Sequence, residues 1–145
     1  MKPTLWFRIA ACLFLLFAAG HTVGFLTFRP SNPEGRAVLD AMNNTRVIVG
    51  SSTFTYGGFY LGFGLSITLT QLFTAWLCWH LGAMSRRAPS DAQSITWALV
   101  AVQLIGLGLS WKYFSAGPAI LSLLTALCLA MAAVSTRRQA VTITG

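Results

Sequence analysis

The chain has 145 residues, of which 55% are hydrophobic and only 9% charged, against about 25% charged in a soluble globular domain. So little charge cannot cover a water-facing surface, and the mean hydropathy of +0.67 agrees. Ten Lys/Arg against three Asp/Glu give a net charge of +7. Most of these charges flank long apolar runs, where they orient a chain in a membrane rather than mark a nucleic-acid surface. The composition excludes a soluble enzyme, a disordered tail and a nucleic-acid binder.

The first apolar run covers about 5–28. Lys2 and the small residues Ala18, Ala19 and Gly20 imitate a signal peptide. However, the apolar run continues past them to Phe28, Arg8 interrupts it early, and Met1 is present, so a retained transmembrane helix is expected. The polar stretch that follows holds Ser31 and Glu34 at capping-box spacing, with Pro33 suited to a first turn. Val38, Ala41, Met42, Thr45 and Val49 then recur at helical spacing. This predicts a short amphipathic helix over about 31–50, lying on the outer membrane surface as a cap. Asn43-Asn44-Thr45 also matches the N-glycosylation sequon.

A second apolar run covers about 55–82, with glycines at 57, 58, 62 and 64 that permit close helix approach in lipid. Residues 84–94 read as a polar turn punctuated by Pro89. Runs three and four cover about 95–114 and 118–135, and the short link at 115–117 makes them antiparallel neighbours. Each run is long enough for the roughly 20 helical residues that cross a bilayer. The expected fold is an all-α integral membrane protein. It forms one domain over 1–145, a four-helix transmembrane bundle with an amphipathic cap in the first extracytoplasmic loop.

With the N-terminus in the cytoplasm, Lys2, Arg8, Arg86, Arg87, Arg137 and Arg138 lie inside, leaving Arg29, Arg36, Arg46 and Lys112 outside. The two Arg-Arg pairs at run ends strengthen that bias, so both termini are expected in the cytoplasm.

Polar residues within a span are costly and mark candidate sites. In the second run Gly57, Leu61, Gly64, Thr68, Gln71, Ala75 and Cys78 form a small-polar stripe, opposite Phe59, Phe63, Phe73, Trp76 and His80. Gln103, Gly106, Ser110 and Tyr113 repeat the pattern in the third run, and Ser122, Thr125 and Ala132 in the fourth. At about 1.5 Å per residue, His21, Tyr60, Gly64, Ser110, Ser122 and Thr125 fall roughly 6–13 Å below the outer ends, with Gln71 and Gln103 deeper. That convergence predicts a ligand pocket in the outer half around His21, with Asp40 or Arg46 at its mouth. His21 could act as acid, base or ligand; its competing role is a packing histidine between Gly20 and Gly24. His80, beside Trp76 and Trp79, reads as an interfacial anchor.

The three cysteines, Cys12, Cys78 and Cys128, lie in apolar segments with no C-x-x-C pair, which disfavours disulfide exchange. All three carboxylates, Glu34, Asp40 and Asp91, fall in loops, which disfavours a proton-coupled pump. Arg8 is expected to snorkel. Nothing in the residues calls for a metal or a cofactor.

The run Gly20-His21-Thr22-Val23-Gly24, then Ala41-Met42, then Phe59-Tyr60-Leu61-Gly62-Phe63-Gly64 resembles small four-span membrane proteins of bacteria that share G-H-x-x-G and F-Y-x-G-F-G segments. The resemblance covers mainly the first half of the chain. It implies a bacterial inner-membrane protein and draws attention to His21, Tyr60, Gly62 and Gly64, and it supplies no reaction. Three functions compete. The first is binding, with or without conversion, of a lipophilic small molecule or lipid near His21. The second is an accessory subunit of a membrane complex or homo-oligomer. The third is a haem or metal protein with His21 as one ligand.

Overall fold

A computed structural model describes residues 2–144, and side chains of residues 2–138. Met1 and Gly145, which the expected 1–145 domain includes, lie outside the described residues. The elements are α1 (Pro3–Thr27), α2 (Pro33–Asn44), β1 (Arg46–Val49), β2 (Ser52–Thr55), α3 (Tyr56–Met84), α4 (Pro89–Tyr113) and α5 (Ala116–Thr144). Of the five helices, α1, α3, α4 and α5 are long and apolar enough to cross a membrane and are compatible with an integral membrane protein.

The segment after α1 departs from expectation in three ways, each with a local cause. Asn32, not Ser31, is the N-cap of α2, and Pro33 takes the first helical position. Glu34 is thereby one residue out of register for a capping box, and no side chain caps the helix. The half-buried positions of α2 are Gly35, Leu39 and Met42, while Val38 is 59% exposed. The helix also ends at Asn44 rather than near 50. Val47, Ile48 and Val49 are β-branched and favour a strand. β1 pairs antiparallel with β2, with Val49 opposite Ser52. The two-residue loop between them begins with Gly50 at φ +62°, and no non-glycine residue among those described has positive φ. That is the signature of a type II′ hairpin turn. Thr55 then caps α3, its hydroxyl accepting the Gly58 N–H at 3.0 Å.

The connection before α4 is shorter than expected, because Pro89 and Asp91 already belong to its first turn. Asp91 there and Lys112 in the last turn complement the helix dipole.

Two compact units divide the chain. The first comprises residues 2–17 and 71–144. Its core takes Phe7, Ala10, Ala11 and Phe14 from α1, Ala75, Cys78 and Leu81 from α3, Ala92 and Val100 from α4, and Leu129 and Ala132 from α5. The many alanines bring backbones close, and Phe7, Phe14, Leu81 and Leu129 fill the remaining volume. Thr4 donates its hydroxyl to the Gly82 carbonyl at 3.1 Å. A Cβ on Gly82 would lie 3.3 Å from that of Phe7, so this glycine is a point of close approach between α1 and α3. Arg8 lies over the Trp79 ring at 5.1 Å. Along this unit α4 and α5 pack against one another.

The second unit is Ala18–Thr70. It holds the C-terminal part of α1, all of α2, the hairpin and the N-terminal part of α3, and α2 contains no buried residue.

Candidate functional site

Within Ala18–Thr70 the contact between α1 and α3 is organised by one glycine. His21 Nε2 lies 3.1 Å from the Gly64 carbonyl. A carbonyl only accepts, so Nε2 carries the proton and donates it. One turn on, Phe25 stacks on His21, with ring centroids 5.6 Å apart and planes 7° from parallel. The Phe25 ring occupies the space a side chain at position 64 would need. The volume expected to be open beside His21 and Gly64 therefore contains Phe25.

A hydroxyl pair extends this seam. Thr22 donates to the Ala18 carbonyl at 2.7 Å, and the Thr22 and Thr68 oxygens are 2.8 Å apart. With one proton each, Thr22 serves Ala18 and Thr68 serves Thr22.

Beyond Phe25 the seam opens. Phe25 contacts Tyr60, with ring centroids 5.0 Å apart, and both line a partly open cleft of about 500 Å³. Its apolar wall is Phe25, Leu26, Phe28, Leu39, Tyr60 and Leu61; its polar side is Arg29, Arg36, Asp40 and Asn43. Gly57 and Gly58 complete the lining, and Asn43 fills the space where a Gly57 side chain would be. The local sequence places these groups. α1 ends at Thr27, so Phe28 and Arg29 follow the last turn, and Leu39, Asp40 and Asn43 share one side of α2 at helical spacing.

The charges in the cleft are not paired with each other. Arg36 sits one turn before Asp40, at the spacing of a helical ion pair, yet it donates to the Ser31 carbonyl at 3.1 Å. Arg29 donates to the Phe28 carbonyl at 2.9 Å. Among the described residues the Asp40 carboxylate makes neither hydrogen bond nor ion pair; the Asn44 side chain bonds the Asp40 backbone carbonyl instead.

Of the ten residues expected to form a site, His21, Gly64, Tyr60 and Asp40 thus meet, directly or through Phe25 and the cleft. Arg46 belongs to the same unit but is exposed on β1, paired with Thr55, and does not line the cleft. Gln71, Gln103, Ser110, Ser122 and Thr125 belong to the other unit. There Ser110, Ser122 and Thr125 are buried, and Gln71 and Gln103 are half-buried. Thr125 donates to the Leu121 carbonyl of its own helix at 2.7 Å. Sequence reasoning missed Phe25 and the Thr22–Thr68 pair. A glycine facing a neighbouring helix leaves a notch, and Phe25, four residues after His21, lies on the right face of α1 to fill it.

His80 stays local: its Nδ1 donates to the Trp76 carbonyl at 3.0 Å, and the two rings are 4.2 Å apart. With Nε2 donating to the Gly64 carbonyl, Nδ1 is the nitrogen of His21 that keeps a lone pair. Among the described residues no three His, Cys, Asp or Glu side chains group closely enough to hold an ion. Compared with protein-family models, with curated proteins and with solved structures, the chain matches none.

Proposed function

We propose that this is a small integral membrane protein that binds an amphiphilic small molecule or lipid in the cleft of its 18–70 unit. The carrying observation is the cleft itself, with an apolar wall from Phe25 to Leu61 and two arginines on its polar side. Ligand sites of this size are concave, mostly apolar and furnished with a few placed polar groups. His21 is a positioning residue in this reading. It orients Phe25, and Phe25 forms part of the wall.

Membrane insertion is supported by the outward face of the long helices. Leu16, Phe63, Leu69, Phe73, Val102 and Ile105 are all more than half exposed, an apolar surface that water does not tolerate. The arginine pairs Arg86-Arg87 and Arg137-Arg138 support cytoplasmic termini. That orientation would put the cleft at headgroup depth in the outer leaflet. The bacterial inner membrane rests on the family resemblance alone.

The test is native mass spectrometry of the full chain released from lipid nanodiscs. The wild type should retain one amphiphile. Leu39→Trp, which fills the cleft, should lose it without a change in melting temperature, and Leu104→Trp, on the exposed face of α4, should retain it. Retention unchanged by Leu39→Trp would defeat the reading.

A second reading, a subunit of a homo-oligomer or larger complex, has one observation in its favour. A side chain on Gly20, Gly24 or Gly62 would meet nothing within 4 Å, which leaves a small-residue surface of the kind that packs helices in lipid. Gly24→Leu should then disperse a cross-linkable oligomer, and a chain that is monomeric in the membrane would remove this reading.

A further inference from the structure

We infer that the amphiphile of this cleft is a phospholipid whose head carries both a phosphate and a primary ammonium. The inference rests on the amphiphile-binding reading and adds the chemistry of the head. Three formal charges line the cleft, those of Arg29, Arg36 and Asp40. They do not neutralise one another. Each guanidinium has five N–H donors, and here each directs one to a backbone carbonyl. The remaining donors match a tetrahedral phosphate, for which arginine forks are suited. Asp40 is the discriminating group. Its carboxylate shares the cleft with the arginines, has no partner among the described residues, and stands one helical turn from a guanidinium that bonds elsewhere.

The candidate heads differ in what they offer this carboxylate. A purely anionic head would satisfy Arg29 and Arg36 while placing a second negative charge near Asp40. A quaternary ammonium would supply the opposite charge but no N–H to donate. A primary ammonium supplies both, with three donors, and hydrogen bonds between charged groups are the strong ones. The lipid source follows from the rest of the lining. Phe25, Leu26, Phe28, Leu39 and Leu61 form an apolar wall directly beside the charged groups, as a head joined to acyl chains requires. The cleft also stands at the C-terminal end of α1 and the N-terminal end of α3, the ends that meet headgroups if these helices cross a bilayer.

The test is competition among lipids in native mass spectrometry, with the full chain in mixed micelles. The micelles contain equal amounts of phosphatidylethanolamine, phosphatidylglycerol and phosphatidylcholine. Phosphatidylethanolamine should be retained about tenfold over phosphatidylcholine, the ratio for one charge-assisted hydrogen bond. Asp40→Asn should bring that ratio to about one while leaving phosphatidylcholine retention intact, and Arg36→Gln should weaken all three lipids. Melting temperatures of both variants should match the wild type, since both side chains are exposed. Phosphatidylglycerol retained as well as or better than phosphatidylethanolamine would overturn the head assignment while leaving a lipid-binding cleft in place. So would a preference indifferent to Asp40→Asn. Soluble phosphoethanolamine binding as tightly as the lipid would overturn the lipid source. Absence of any retention sensitive to Leu39→Trp would instead remove the reading on which the inference rests.

Discussion

The two units use the same device to bring α1 and α3 together, and they use it to different ends. In one, Thr4 donates to the Gly82 carbonyl and Phe7 covers the bare Cα. In the other, His21 donates to the Gly64 carbonyl and Phe25 covers the bare Cα. Phe7 and Phe25 are 18 residues apart, as are Gly64 and Gly82. The offset in sequence is thus the same on both helices. Around Gly82 the device ends in a core that includes Phe7, Phe14, Leu81 and Leu129. Around Gly64 it ends at Phe25, Tyr60 and an open cleft. The comparison shows that a polar side chain on an apolar helix need not be chemical. His21 does at Gly64 what Thr4 does at Gly82, and the open space lies beyond Phe25.

The hardest test of this comparison strikes the closed core. Leu129 is fully buried, so Leu129→Ala should cost about 2–5 kcal/mol in unfolding by denaturing detergent. Lipid retention below the transition should be unaffected; joint loss of the two would mean that core and cleft are not separable. Gly64→Leu is next. Its side chain must displace Phe25, which should cost about 1–3 kcal/mol as an overpacked contact and lower lipid retention. Gly82→Leu should destabilise comparably and leave retention alone, and equal effects of the two on retention would erase the distinction drawn here. At His21 the expected loss is smaller, about 0.5–1.5 kcal/mol for His21→Phe. His21→Gln, which keeps a donor, should recover part of it; a Gln variant as damaged as the Phe variant would point to chemistry beyond the Gly64 bond. The smallest effect is expected for Trp6→Phe. The Trp6 indole N–H is buried with no partner among the described residues, so its removal should leave stability unchanged or raise it by up to about 1 kcal/mol.

The four long helices were legible because length and hydropathy alone define them, and their observed bounds lie within a few residues of the apolar runs except where Pro89 opens α4 early and where α5 continues past 135 to Thr144. The segment between α1 and α3 was harder. Val38, Ala41, Met42, Thr45 and Val49 happen to recur at helical spacing, and that pattern masked a strand signal of three consecutive β-branched residues before Gly50-Ser51. Of the site, His21, Tyr60 and Gly64 stood out as polar or small residues in costly places, and Asp40 as a charge at the expected pocket mouth. The cleft did not, because Arg29, Leu39 and Leu61 come from separate segments and meet only when the chain folds. Gly64 illustrates the remaining gap: sequence shows that a side chain is missing there, and only the fold shows that Phe25 fills the notch.

The hydroxyls on the long helices have a consequence for passage through the molecule. Thr22, Thr27, Ser66, Thr70, Thr96, Thr125 and Thr136 each donate to the carbonyl one turn back on their own helix. A proton wire or an ion path needs hydroxyls that can hand a hydrogen bond from one neighbour to the next. Each of these protons is committed to its own helix, and the Thr22–Thr68 pair is a hand-over between α1 and α3, so a run of threonines that looks hydrophilic on paper spends most of its donors on its own backbone.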